Sequence, residues 1–178
     1  WILSLIVWSI RSLLDNLLHL VILAQRSLSR QMEFHADLVA VSLTGSDELI
    51  HALHKLQAAD EAWDRTLWFA QSELDKGRKL ENIFDIQQRI IKKLAVIIGD
   101  ENYGKTPVIP TKNPEQYRVF KSNLIQPPRM WATHPANTDR EENAKKRYFP
   151  SDHDERSAWT LFKQAEKLQE TFTNRLLT

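Results

Sequence analysis

Residues 29–40 read SRQMEFHADLVA and place a glutamate, Glu33, four residues before an aspartate, Asp37. On a helix this spacing puts both acids on one face, one turn apart, where two like charges repel. The apolar side chains around them favour a mostly buried helix (Phe34, Ala36, Leu38, Val39, Ala40, Val41 and Leu43). A buried carboxylate pair needs a cation, a proton or strong hydrogen bonds, and a metal ion is one simple answer.

Helix-forming composition extends through the rest of the chain, which has only four glycines among 178 residues. Hydrophobic periodicity, with glycine and proline stops, predicts helices over residues 1–43, 46–76, 79–98, 137–147 and 154–177, and a short helix starting at Asn113-Pro114. No convincing strand, internal repeat or low-complexity tract is present. The predicted fold class is therefore all-α.

Composition limits the partners and the chemistry. The chain has 24 basic and 23 acidic side chains, a formal net charge of +1, which gives no reason to expect a nucleic acid as partner. It has no cysteine, so a zinc site here must use histidine and carboxylate ligands. Six tryptophans are many for this length and indicate broad aromatic packing or contacts at a membrane interface.

The first half of the long helix predicted over residues 1–43 is apolar, but a polar face interrupts it (Arg11, Asp15, Asn16 and His19). Three interpretations stay open: an amphipathic helix packed on its own domain, a helix lying on a bilayer, or a single membrane span. The span is the least favoured of the three, because a charge at mid-depth in the bilayer costs about 3 kcal/mol.

A second candidate site residue, His134, lies in Thr133-His134-Pro135, a loop directly before a predicted helix. The proline favours an extended backbone at His134, and a histidine presented in this way can stabilise an oxyanion or ligate a metal. Arg140, six residues later, could neutralise a buried acid such as Asp37. The alternatives are a solvated loop histidine and a surface arginine.

His51 and His54 are spaced like a pair of metal ligands on the second predicted helix. They fall largely on the polar side of that helix, opposite its apolar stripe. Solvent exposure is therefore the favoured interpretation for both.

Two of these stretches together resemble the HtpX-like and CAAX-prenyl-protease-like zinc metallopeptidases of peptidase family M48. The first is Ser-Arg-x-x-Glu-Phe-x-Ala-Asp at residues 29–37, and the second is Thr133-His134-Pro135 followed by Arg140. The family's H-E-x-x-H motif is absent from this sequence. Because the chain opens with Trp1 inside an apolar run, it resembles a piece of a longer protein, with H-E-x-x-H expected upstream.

The resemblance implies roles for the candidate residues. Glu33 would be the third ligand of a single Zn²⁺ ion, whose two histidine ligands would come from the upstream H-E-x-x-H. His134 would approach the metal or stabilise the tetrahedral intermediate. Asp37 and Arg140 would support the site without binding the metal themselves. With only one of the three ligands, the chain alone would bind zinc weakly and hydrolyse nothing.

The resemblance also implies an architecture and a location. Residues 1–147 would form the C-terminal part of a zincin-type metallopeptidase domain, with a helical insertion over about 57–126, and residues 148–178 a C-terminal amphipathic helix. The intact protein would be a membrane-associated endopeptidase acting on polypeptides, with its catalytic side in the cytoplasm. The alternative is a non-catalytic helical interaction module, whose acids pair with Arg30 and Arg140 and whose tryptophan-rich faces dock a partner.

Overall fold

The computed structural model describes residues 1–120 and 132–177, and the regular structure within them is entirely helical. The elements are α1 (Ile2–Thr44), α2 (Ser46–Asp75), α3 (Ile83–Ile98), α4 (Asn137–Lys145), a 3₁₀ helix (Ala158–Leu161) and α5 (Ala165–Leu176). The predicted all-α fold class is confirmed.

Gly45 and Gly99 end helices where the sequence predicted stops, whereas α3 begins after a residue that the sequence analysis did not identify, Asn82. Gly45, with φ 93°, separates α1 from α2, and Gly99, with φ 73°, closes α3 in a left-handed conformation that glycine adopts without strain. The start of α3 was predicted at residue 79 but lies at Ile83, because the Asn82 side chain accepts a hydrogen bond from the Phe84 N–H and caps the helix there.

Two predicted helices differ in the structure. The short helix expected from Asn113-Pro114 is wrong: residues 114–116 form a turn, and Asn113 has φ 55°, which is not the extended conformation of an N-cap. The continuous helix expected over 154–177 is wrong: residues 154–157 are not helical and 158–161 form only a 3₁₀ helix. The α-helix α5 begins at Ala165, after Gln164, whose φ of 132° is incompatible with helix.

The chain forms two compact units, each with its own interior. The first consists of Trp1–Leu49 and Lys112–Pro150, and the second of Ile50–Thr111 and Ser151–Thr178. Buried apolar side chains from α2 and α3 form the core of the second unit (Ile50, Leu53, Ala58, Ala62, Ala70, Ile83 and Leu94). The predicted domain bounds and the insertion over 57–126 stay predictions.

In the first unit, the two halves of α1 differ in burial. Almost every side chain before residue 22 is exposed, and α1 is long and apolar enough to cross a membrane by length and composition. An amphipathic helix packed on its own domain would have one face of this half covered. The described residues do not cover it in that way. In the second half, one stripe at helical spacing is covered (Ile22, Leu23, Arg26, Arg30, Glu33, Phe34, Asp37, Ala40 and Val41).

The second half of α1 was predicted to be mostly buried, and this is wrong in detail. Val41 and Asp37 are buried, but Leu38, Val39 and Leu43 are exposed by 38%, 61% and 81%. The reason is that only one face of α1 is covered, and these apolar residues lie outside it. The covered face is the one that carries the candidate site.

Candidate functional site

The short helix α4 packs against the covered face of α1 and is attached to the rest of the unit through polar groups. It has no apolar stripe, and its nine residues read NTDREENAK. The Asn143 amide donates to the Phe34 carbonyl at 3.2 Å, and the Ser46 hydroxyl donates to the Ala144 carbonyl at 2.8 Å. A helix of this composition is fixed by such specific contacts, since it has little apolar area to bury.

Asp37 and Arg140 form a two-bonded ion pair between α1 and α4. The Arg140 Nε and Nη2 atoms donate to the two carboxylate oxygens of Asp37 at 2.8 and 2.5 Å. The side chains are 5% and 21% exposed, and the hydrogen bonds to Asp37 raise the pKa of Arg140. The partnership suggested by the sequence is present, and it neutralises the Asp37 charge with a protein cation.

Glu33, one turn earlier on α1, meets His134 instead. The Nδ1 atom of His134 lies 2.7 Å from Oε1 of Glu33, with side-chain exposures of 76% for the histidine and 26% for the glutamate. When Nδ1 carries the proton of this hydrogen bond, Nε2 is the ring nitrogen left for other chemistry. The structure thus joins the two candidate motifs, 101 positions apart in sequence, at one point.

The segment that carries His134 is not helical, and a hydrogen bond from α1 holds its backbone. Nη1 of Arg30 donates to the carbonyl of Ala132 at 2.8 Å, and Pro135 is buried on the other side of the histidine. The interaction-module alternative paired Arg30 with the acids, whereas its guanidinium binds this carbonyl. Sequence reasoning missed that role, although Arg30 lies three residues before Glu33 and so shares its helix face.

Two further buried charges on α4, Glu141 and Lys145, were also missed. Glu141 accepts two backbone N–H groups at 2.8 and 3.0 Å, and Lys145 donates to two backbone carbonyls at 2.9 and 2.6 Å, all in segment 114–120. Both side chains are fully enclosed, and burial lowers the pKa of Lys145. In the sequence they resemble a solvated charge run, and their i,i+4 spacing was the only available signal.

His51 and His54 are separated by the structure of the second unit. The expected exposure is wrong for His51, which is buried with its ring against that of His153, the centroids 4.9 Å apart. Nδ1 of His54 lies 3.1 Å from the carbonyl oxygen of Lys105. The two side chains therefore have different neighbours and do not act as a pair.

Comparison with known protein families gives a match. The sequence model of Peptidase family M48 matches residues 8–148, most of the chain and both halves of the Glu33–His134 contact. No curated protein and no solved structure matches the chain.

Proposed function

Because the chain belongs to peptidase family M48, we propose that it forms the C-terminal part of the catalytic domain of a zinc-dependent endopeptidase. The family makes the protein a metallopeptidase with a polypeptide substrate in general. The observation that carries the finer proposal is the 2.7 Å contact between Glu33 and His134. Of the described acids in the matched motifs, Glu33 is the one that solvent and a substrate can still reach, since Asp37 is enclosed by Arg140.

The donor groups at this point fit a zinc ion. Zinc in catalytic sites is bound by histidine nitrogen and carboxylate oxygen, commonly as two histidines and one glutamate. A carboxylate has two oxygens, so Glu33 can accept from His134 with one and ligate a cation with the other. In this proposal the two histidine ligands belong to an H-E-x-x-H segment of the intact protein, outside residues 1–178.

When bound, zinc would polarise the scissile carbonyl and lower the pKa of its water to about 7. The residues of this chain would then divide the remaining work. The Asp37–Arg140 pair holds α4 on α1 and so fixes the end of the His134 segment, which leads directly into α4. In its imidazolium form, with the Nδ1–H donated to Glu33, His134 would donate its Nε2–H to the developing oxyanion.

We infer further that the first half of α1 associates with a bilayer. Its apolar side chains are exposed around its polar face, for example Leu3 by 74%, Trp8 by 68% and Leu20 by 64%. Spanning the hydrocarbon core takes about 20 residues, which the exposed half of α1 supplies. A contiguous apolar surface of this length is rare on a soluble monomer, and lipid is the solvent that it suits.

The interaction module remains the second candidate, and one contact favours it. The Asp37–Arg140 pair is already neutral without a metal, as that candidate requires. Exposed tryptophans on helical faces, Trp8 by 68% and Trp68 by 76%, would be its docking residues. The two candidates differ in what Glu33 does, and so one substitution separates them.

The deciding experiment is Glu33→Gln in the intact protein, with Glu142→Gln, an exposed acid on α4, as the matched control. The peptidase proposal expects bound zinc and proteolysis to be lost by Glu33→Gln, since a neutral amide is a poor zinc ligand. Helical circular dichroism should stay at its original value, and Glu142→Gln should leave all three measurements unchanged. Full zinc content in Glu33→Gln, measured by metal analysis, would reject the ligand role and favour the interaction module.

A further inference from the structure

We propose that Arg30 is a positioning residue that holds His134 over Glu33, an inference that rests on the proposed function of those two residues. The guanidinium of Arg30 donates to the carbonyl oxygen of Ala132 at 2.8 Å, two residues before His134. This hydrogen bond links the helix that carries Glu33 directly to the backbone that carries the histidine.

The exposure of His134 shows why such a link is needed. Its side chain is 76% exposed, and a hydrogen-bonded pair open to water contributes little to holding two groups together. The histidine also lies outside any helix, since α4 begins only at Asn137. The Glu33 contact alone therefore does not fix the imidazole, and its position depends on how the backbone of 132–136 is held.

Arg30 is placed to provide that support. It precedes Glu33 by three residues and Asp37 by seven, so the three side chains lie along one face of α1. Arg30, unlike His134, is partly covered, and so is the Ala132 carbonyl that it binds. With Pro135 buried on the far side, the backbone is held both before and after His134.

The side-chain chemistry of arginine suits this task. Its guanidinium is planar and always charged, and a charged donor to a carbonyl makes a stronger hydrogen bond than a neutral one. An error of about 1 Å in the position of a catalytic group can reduce the rate about a hundredfold. Loss of Arg30 should therefore lower kcat while KM changes little, because His134 acts on the transition state and not on the bound substrate.

The structural arm of the test uses the full chain, which has no cysteine of its own. Nitroxide labels on Ser42→Cys and Thr133→Cys, two exposed positions on α1 and beside His134, give a distance distribution by pulsed electron paramagnetic resonance. Arg30→Ala should broaden that distribution, and Arg30→Lys should restore part of its sharpness. Arg65→Ala is the control, since Arg65 also donates to a carbonyl, that of Glu61 at 2.9 Å, but within its own helix.

The kinetic arm uses the intact zinc-loaded protein with the same three variants. Arg30→Ala should reduce kcat by about tenfold to a hundredfold with zinc content retained, and Arg30→Lys should lie between it and the parent. A distance distribution as sharp in Arg30→Ala as in the parent would overturn the proposal, whatever the activity. If the distribution broadens in a protein without zinc or proteolysis, the positioning role stands and the proposed function fails.

Discussion

Two acids on one face of α1, a single turn apart, have opposite environments. Asp37 is 5% exposed and is bound at both oxygens by Arg140, whereas Glu33 is 26% exposed and is bound at one oxygen by a histidine that is itself open to solvent. The difference indicates which of the two side chains stabilises the fold and which is available for chemistry. A carboxylate with both oxygens occupied contributes stability, and a carboxylate with capacity left over is available for chemistry.

The cause of the difference lies in the partners. Arg140 projects from a regular helix, α4, which is held by several further contacts, so its guanidinium is oriented before it meets Asp37. His134 projects from a non-helical segment whose backbone is held at Ala132 and Pro135. Two residues four positions apart on one helix face therefore differ: Asp37 forms an ion pair with a residue of a regular helix, and Glu33 contacts a residue of a non-helical segment.

The largest expected effect comes from breaking the rigid pair with Asp37→Ala. Removing one partner of a buried ion pair costs about 3–5 kcal/mol, because the other charge is left buried and unpaired. We expect about 3 kcal/mol here, the lower end of that range, since Arg140 keeps 21% of its side chain in contact with solvent. The measurement is the free energy of unfolding from urea titrations followed by circular dichroism.

Glu142→Ala is the matched control for that experiment, because Glu142 is an exposed acid on α4, the helix that carries Arg140. Its expected change is within about 0.5 kcal/mol, as for most surface substitutions. Equal changes for the two variants would mean that Asp37 and Arg140 contribute no more than a surface pair. The contrast between the two acids would then be one of geometry only.

The sequence predicted the fold to the extent that local signals determine it. Gly45 and Gly99 end helices because few other residues adopt a positive φ, and the apolar periodicity of α3 defines its buried face. Periodicity does not reveal which face of a long helix a distant segment will cover. Leu38 and Val39 were therefore expected to be buried, although α4 covers a neighbouring face.

The candidate site could be predicted from the sequence where side chains in a motif form it. It could not be predicted where one of the two partners is a backbone group. Glu33, Asp37, His134 and Arg140 were all named from sequence, and the structure brings them together in two pairs. Arg30 and Glu141 were missed as contributors because their partners are peptide groups. Nearly every residue has the same backbone N–H and C=O groups, so a sequence pattern does not indicate which of them a side chain will bind.

A smaller effect on stability is expected for His134→Ala, although its effect on turnover should be large. An exposed pair contributes about 0–1 kcal/mol to folding, so the free energy of unfolding should change by no more than this. Loss of one oxyanion donor lowers kcat by about a hundredfold to a thousandfold, and most zinc should be retained. His35→Ala, an exposed histidine two residues from Glu33, is the control, and unchanged turnover in His134→Ala would remove it from the site.

The smallest expected effect is a difference between the two pairs in how strongly the coupling energy within each pair depends on salt concentration. Double-mutant cycles on Glu33/His134 and on Asp37/Arg140 measure the coupling within each pair apart from the cost of truncating either side chain. At 1 M salt the screening length falls to about 3 Å, so a coupling of a few tenths of a kcal/mol between Glu33 and protonated His134, both open to solvent, should vanish. The Asp37/Arg140 coupling should keep most of its value, because water and ions do not reach between two groups that are 5% and 21% exposed. Equal losses in both cycles would mean that solvent reaches the two contacts alike, and the division of this helix face into a rigid and an open part would have to be abandoned.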